Sequence, residues 1–200
     1  MTEIDTLITE FSAACKKLQN IDACKLPNYK AIIDRAYAIA LSQAASPTGS
    51  YGKNLEDCLM RNLIGESCEA AIYYILSNLP SMKILEHNST EDRSETSERE
   101  YWWDILYNDI KLEVKCIRNN RTYVDWPSMN PINTMIKHQK ELSIAIFCNC
   151  SSDLIVSPIA IMKTANLSTY LKKSNFEGVY IDHRSAIKDQ QFYTLSSKIC

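Results

Sequence analysis

Residues 101–118, YWWDILYNDIKLEVKCIR, constrain the fold of this chain more than any other stretch. Two runs rich in aromatic and β-branched residues flank Tyr107-Asn108-Asp109, and Asn and Asp at the centre of so short a connection are hairpin residues. The pattern predicts strands over 101–107 and 110–117, paired antiparallel. Side chains alternate across a strand. Ile110, Leu112, Val114 and Cys116 therefore share one side, and Lys111, Glu113, Lys115 and Ile117 the other.

The chain before this hairpin has helical periodicity. Apolar residues recur at helical spacing over 3–19 and 28–45, as in Ile32, Ile33, Ala36, Tyr37, Ala40 and Leu41. Ser46-Pro47-Thr48-Gly49-Ser50 breaks the pattern. A longer helix is predicted over 54–78, ended by Pro80, and a short strand over 82–86. Residues 88–100, NSTEDRSETSERE, contain no apolar side chain and read as a surface loop. After the hairpin, strands are predicted at 142–149, 153–161, 178–182 and 191–196, with helices near 131–141 and 166–173 and a turn at Asp182-His183-Arg184. Helices, then a hairpin, then helix–strand alternation point to an α/β fold, a mixed sheet flanked by helices. Residues 1–50 form an N-terminal helical extension in this reading, and 51–200 the core.

Composition narrows the function classes. The 200 residues are 46% hydrophobic and 23% charged, enough to bury a real core. A net charge of −2 and a pI near 5.9 argue against coating nucleic acid by bulk charge, while leaving room for a local basic face. No apolar run reaches the roughly 18–20 residues of a membrane span, and the start, MTEIDTLITEF, lacks the pattern of a secretion signal. The expectation is a cytoplasmic protein without membrane partners. The eight cysteines include no Cys-x-x-Cys pair. Cys148 and Cys150, two apart on a strand, read as small reduced hydrophobes and not as a zinc clasp. His87, His138 and His183 are too scattered for a histidine metal site. With no Walker motif, dinucleotide fingerprint or nucleophile elbow, no nucleotide cofactor is expected.

Chemistry concentrates on the hairpin. Glu113 and Lys115 emerge side by side, and the returning strand can bring Asp104 beside them. Two close carboxylates repel unless a cation lies between them. A hard divalent ion such as Mg²⁺ suits oxygen ligands, keeps several waters and binds substrate phosphate. The plain alternative is an amphipathic hairpin with a solvated polar face.

Asp104 followed across a hairpin by Glu113-Val114-Lys115 resembles the signature of the PD-(D/E)XK nuclease superfamily, with Trp103 in place of the motif's Pro. Members often carry an acid on a preceding helix in a Gly-Glu setting. Here RNLIGESCEAAIYYIL supplies Gly65 and Glu66, with Glu69 one turn on as second choice. A glycine inside a helix costs stability, so Gly65 suggests close packing or a functional need. The resemblance implies a restriction-endonuclease-like fold over 51–200. It further implies Mg²⁺, with Mn²⁺ as substitute, held by Asp104, Glu113 and Glu66, and Lys115 acting on the nucleophile or the phosphate. Members often place Lys or Gln on the helix after the hairpin, which makes Lys137, Gln139 and Lys140 candidates for substrate binding.

Arg118, Arg121, Tyr123 and Trp126 follow the active strand, and basic residues interleaved with aromatics can hold phosphates and stack bases. A surface turn explains them nearly as well. The expected activity is Mg²⁺-dependent endonucleolytic hydrolysis of DNA, with a homodimer supplying two sites for two strands. Alternatives are an RNA endonuclease with the same metal site, or a non-catalytic nucleic-acid-binding or assembly protein of the same fold.

Overall fold

The computed structural model describes residues 2–45, 54–87, 103–118, 142–165, 167–174, 178–181 and 183–195. Three helices come first: α1 (Glu3–Leu18), α2 (Tyr29–Ala45) and α3 (Leu55–Ser77), with a two-residue strand β1 (Ile21–Asp22) between the first pair. The strands β2 (Leu85–His87), β3 (Ile105–Tyr107), β4 (Ile110–Arg118), β5 (Ile144–Cys150) and β6 (Ile155–Lys163) follow. Then come β7 (Leu171–Ser174), β8 (Gly178–Ile181), the short helix α4 (His183–Lys188) and β9 (Phe192–Thr194).

The helices start where local chemistry tells them to. Thr2 caps α1: its hydroxyl accepts the Asp5 N–H at 3.2 Å while the Asp5 carboxylate accepts the Thr2 N–H at 3.1 Å. This reciprocal pair satisfies donors that a helix end otherwise leaves open. Asn54 caps α3 by accepting the Asp57 N–H at 2.9 Å, and Glu56 and Asp57 in the first turn complement the helix dipole.

The main sheet has seven strands in the order β1-β6-β5-β4-β3-β2, with β9 also on β6. Its central pair, β4 and β5, is parallel and its other pairs are antiparallel. A separate antiparallel pair joins β7 and β8. One face of the sheet presents Leu112, Ile144 and Ile146 to Leu7, Phe11, Cys68, Ile72 and Ile75 of α1 and α3. Alternate β5 residues, Ala145 and Phe147, face the other way and bury against Ile159, Met162, Leu167, Tyr170 and Ala186. The fold is thus a mixed α/β sheet covered on both faces. The first helix shares this core, since Leu7 and Phe11 are fully buried in it, and β1 hydrogen-bonds to β6.

Three details depart from the sequence reading. The helix expected near 166–173 is a single 3₁₀ turn, Leu167–Tyr170, followed by β7. One such turn is enough to bury both Leu167 and Tyr170, three apart, and the residues after it gain strand partners in β8. His183, expected in a turn, opens α4. A methyl group built on Gly65 would meet nothing within 4 Å, so close packing does not explain that glycine.

Candidate active site

The hairpin closes through Asn108 and Asp109, with φ of 46° and 71°. Two successive left-handed residues make the turn whose twist matches paired strands. The Asn108 side chain also fastens the preceding segment. Its Oδ1 accepts the N–H groups of Lys83 and Ile84 at 2.8 and 2.9 Å, and its Nδ2 donates to the Ser81 carbonyl at 2.7 Å. The resulting register pairs Ile105 with Leu112 and Tyr107 with Ile110. A slip of one residue would send every side chain to the opposite face, so this turn decides where Glu113 and Lys115 point.

Asp104 lies just before β3. Its backbone N–H donates to the Leu112 carbonyl at 2.9 Å, and its Oδ2 accepts the Val114 N–H at 2.7 Å. The carboxylate is thereby fixed against the residue between Glu113 and Lys115. Asp104 and Glu113 are 9% and 4% exposed, far from the solvated polar face that an ordinary hairpin would show. The Lys115 ammonium donates to Glu113 Oε1.

Burial, and then the charge of Asp104, push the Glu113 carboxyl up to about 7, against the opposing pull of Lys115. Burial acts to lower the pKa of the Lys115 ammonium, but the carboxylates of Glu113, Asp104 and Glu69 outweigh it and raise the ammonium above its ordinary range. This part of the sheet carries more buried negative charge than a single lysine balances, which is the condition for attracting a cation.

The two acids of α3 have different surroundings. Arg35 of α2 donates from Nε to Glu66 Oε2 at 2.8 Å, and the Glu66 side chain is 5% exposed. The Glu69 carboxylate adds to the upward push on both the Glu113 carboxyl and the Lys115 ammonium. Its Oε2 lies 3.2 Å from His87 Nε2.

Comparisons with family models, with curated proteins and with solved structures find no match.

Among the described residues, no three His, Cys, Asp or Glu side chains form a group able to hold an ion by themselves. Arg118 ends β4, but its side chain, and all of Arg121, Tyr123, Trp126, Lys137, Gln139 and Lys140, lie outside the described residues, as do the loop expected at 88–100 and the helix expected at 131–141.

Two groupings escaped the sequence reading. His87 pairs through β2 and β3 with Ile105, and its imidazole stands against Glu69 and Tyr73 of α3. A buried thiol cluster forms where Cys116 lies opposite Cys148 on β4 and β5, beneath Cys68 of α3. Hydrogen bonds with the thiols of Cys116, Cys148 and Cys150, together with burial, hold the Cys68 thiol well above its ordinary range. Burial pushes nearby Cys15 up to about 12. Close-packed in the core, Cys68 and Cys15 behave as small apolar side chains.

Proposed function

We propose that this chain is a divalent-metal-dependent endonuclease that hydrolyses DNA phosphodiester bonds, with a restriction-endonuclease-like core. The observation that carries the reading is the trio of Asp104, Glu113 and Lys115, two buried acids and a part-buried ammonium on one hairpin. Burying charge in this way costs stability, and such perturbed groups cluster at functional sites.

Asp104 and Glu113 would hold Mg²⁺ or Mn²⁺, with Glu69 contributing from α3. The ion supplies Lewis acidity, withdrawing charge from the phosphate and lowering the pKa of a bound water. Lys115 would stabilise the attacking hydroxide or the negative charge that builds on the phosphate. The Val114 N–H keeps Asp104 oriented throughout. Burial and the Asp104 charge hold the Glu113 carboxyl up near 7, so a bound cation would compete with its proton. A homodimer would supply two such centres, one for each strand of a duplex.

The test offers supercoiled plasmid, linear duplex, single-stranded DNA and RNA to the purified chain with Mg²⁺, Mn²⁺ or EDTA. Asp104→Ala and Lys115→Ala variants run alongside, their folding checked by circular dichroism. Metal-dependent DNA cleavage that disappears in both folded variants supports the reading. Cleavage confined to RNA replaces the substrate. Tight nucleic-acid binding without cleavage, unchanged in the variants, points to a binding protein.

A further inference from the structure

We propose that Lys111 binds a backbone phosphate of the DNA strand lying across this site, one or two nucleotides from the phosphate at Asp104 and Glu113. The inference rests on the nuclease reading above and names the side from which that substrate reaches the site. Side chains two apart on a strand share a face. Lys111, Glu113 and Lys115 therefore stand in a row on β4, and Leu106, paired with Lys111, lies on the same face of β3. Asp104, two residues before Leu106, is held to Val114 beside that row.

This face is closed on one side and open on the other. Glu113 and Lys115 pair across β4 and β5 with Ala145 and Phe147, which are buried in one layer with Met162, Leu167 and Tyr170. Toward β3 and β2 the burial falls away. Lys111 and Leu106 are half-buried, and Glu86, paired with Leu106, is exposed. Among the described residues the open approach to Asp104 and Glu113 thus runs over Lys111. Its ammonium is also available for a ligand. Lys115 is answered by Glu113, whereas among the described residues no carboxylate pairs with Lys111.

The spacing matches that of a nucleic-acid strand. Neighbouring residues on one face of a β-strand are about 6.8 Å apart, and phosphates rise about 3.4 Å per nucleotide along each strand of a duplex. A DNA strand with one phosphate at Glu113 therefore brings another within reach of Lys111, whose flexible four-carbon stem carries a compact point charge. Such a contact fixes register and orientation on the duplex and reads no sequence. It gives a chain of net charge −2 a local cation with which to hold a polyanion.

The test measures binding of a short fluorescent DNA duplex by anisotropy across a salt series, with EDTA or Ca²⁺ in place of Mg²⁺. It uses the full chain as wild type, Lys111→Ala, Lys111→Gln and Lys111→Arg. Lys17→Ala, at an exposed position of α1, controls for net charge. Each phosphate contact adds about 0.9 to the slope of log affinity against log salt. Lys111→Ala is expected to flatten that slope by about 0.9 and to bind about eightfold more weakly at about 0.1 M salt. Lys111→Arg keeps the slope, and Lys17→Ala leaves it unchanged. In Mg²⁺, cleavage by Lys111→Ala falls in the same proportion at low DNA concentration and recovers at saturating DNA, as the loss of uniform binding requires. If Lys111→Ala fails to fold, Lys111→Gln, which keeps most of the stem, decides the matter. A wild-type slope in the folded Ala or Gln variant, or the same flattening in Lys17→Ala, overturns the role of Lys111, and cleavage by the wild type then leaves the nuclease reading standing. A wild-type chain that neither binds nor cuts DNA overturns both.

Discussion

The carboxylate of Asp104 accepts the backbone N–H of Val114 at 2.7 Å. Val114 stands between Glu113 and Lys115, so this one bond ties the first acid of the hairpin to the strand that carries the other two charged groups. The Asp104 carboxylate is thus held against the backbone of that strand, and the Lys115 ammonium meets the Glu113 carboxylate beside it.

Metal affinity should rise with pH through about 7. In the metal-free protein the Glu113 carboxyl is pushed up to about 7, chiefly by burial and by Asp104, and a cation must displace that proton. Mn²⁺ titrations from pH 5.5 to 8.5 should show tighter binding at higher pH, with proton release on binding below neutrality. The same shift affects stability. Between about 4.5 and about 7 the folded protein binds more protons at Glu113 than the unfolded chain does, so metal-free stability falls as pH rises across that window. Glu113→Gln should remove this part of the slope in a thermal-melt series.

The two helical acids should separate by phenotype. Glu66→Gln weakens a buried pair with Arg35, and Arg35→Ala leaves a buried carboxylate short of its cation at a cost of about 3 kcal/mol. Both changes should lower the denaturation midpoint. Glu69→Gln should leave that midpoint nearly unchanged and weaken Mn²⁺ binding instead. An Mn²⁺ affinity insensitive to Glu69 and dependent on Glu66 would reverse the assignment.

Asn108→Ala should destabilise the protein by about 2 kcal/mol, since alanine is strained at positive φ and cannot replace the bonds to Ser81, Lys83 and Ile84. Asn108→Gly should recover the strain component alone. Urea denaturation of the three proteins resolves the two contributions.

Gly65→Ala should stabilise the protein by about 0.5–1 kcal/mol, because a helical interior favours alanine and the added methyl group meets nothing within 4 Å. Calorimetry checks the gain. A parallel cleavage assay asks whether substrate uses the space above this glycine: a more stable yet slower variant would mean that it does.

Much of the fold is legible locally. The sequence places helices at 3–19, 28–45 and 54–78, and the structure has them at Glu3–Leu18, Tyr29–Ala45 and Leu55–Ser77. Apolar spacing, the Asn54 cap and Pro80 act within a few residues of where they stand. The hairpin is equally local, since Asn108-Asp109 and the alternation around it specify turn, register and the shared side of Glu113 and Lys115. The failure at 166–173 has the same origin: a helical spacing over one turn is satisfied as well by a 3₁₀ turn, and the chain beyond it is claimed by a strand partner that the local pattern does not contain.

By itself, then, the sequence determined the elements and the pairing of Glu113 with Lys115, because backbone geometry fixes those relations over a few residues. Tertiary structure decided the surroundings of the two helical acids, Arg35 beside Glu66 and His87 beside Glu69. Glu66 and Glu69 differ by only about 60° around α3, and the rotation of that helix is set by packing Cys68, Ile72 and Ile75 against the sheet. It also decided that His87 meets Glu69, that Cys68 lies over Cys116 and Cys148, and that α1 buries Leu7 and Phe11 in the shared core. Each of these contacts joins segments distant in the chain. They are selected by how whole faces fill space together, a property that no local window of residues carries.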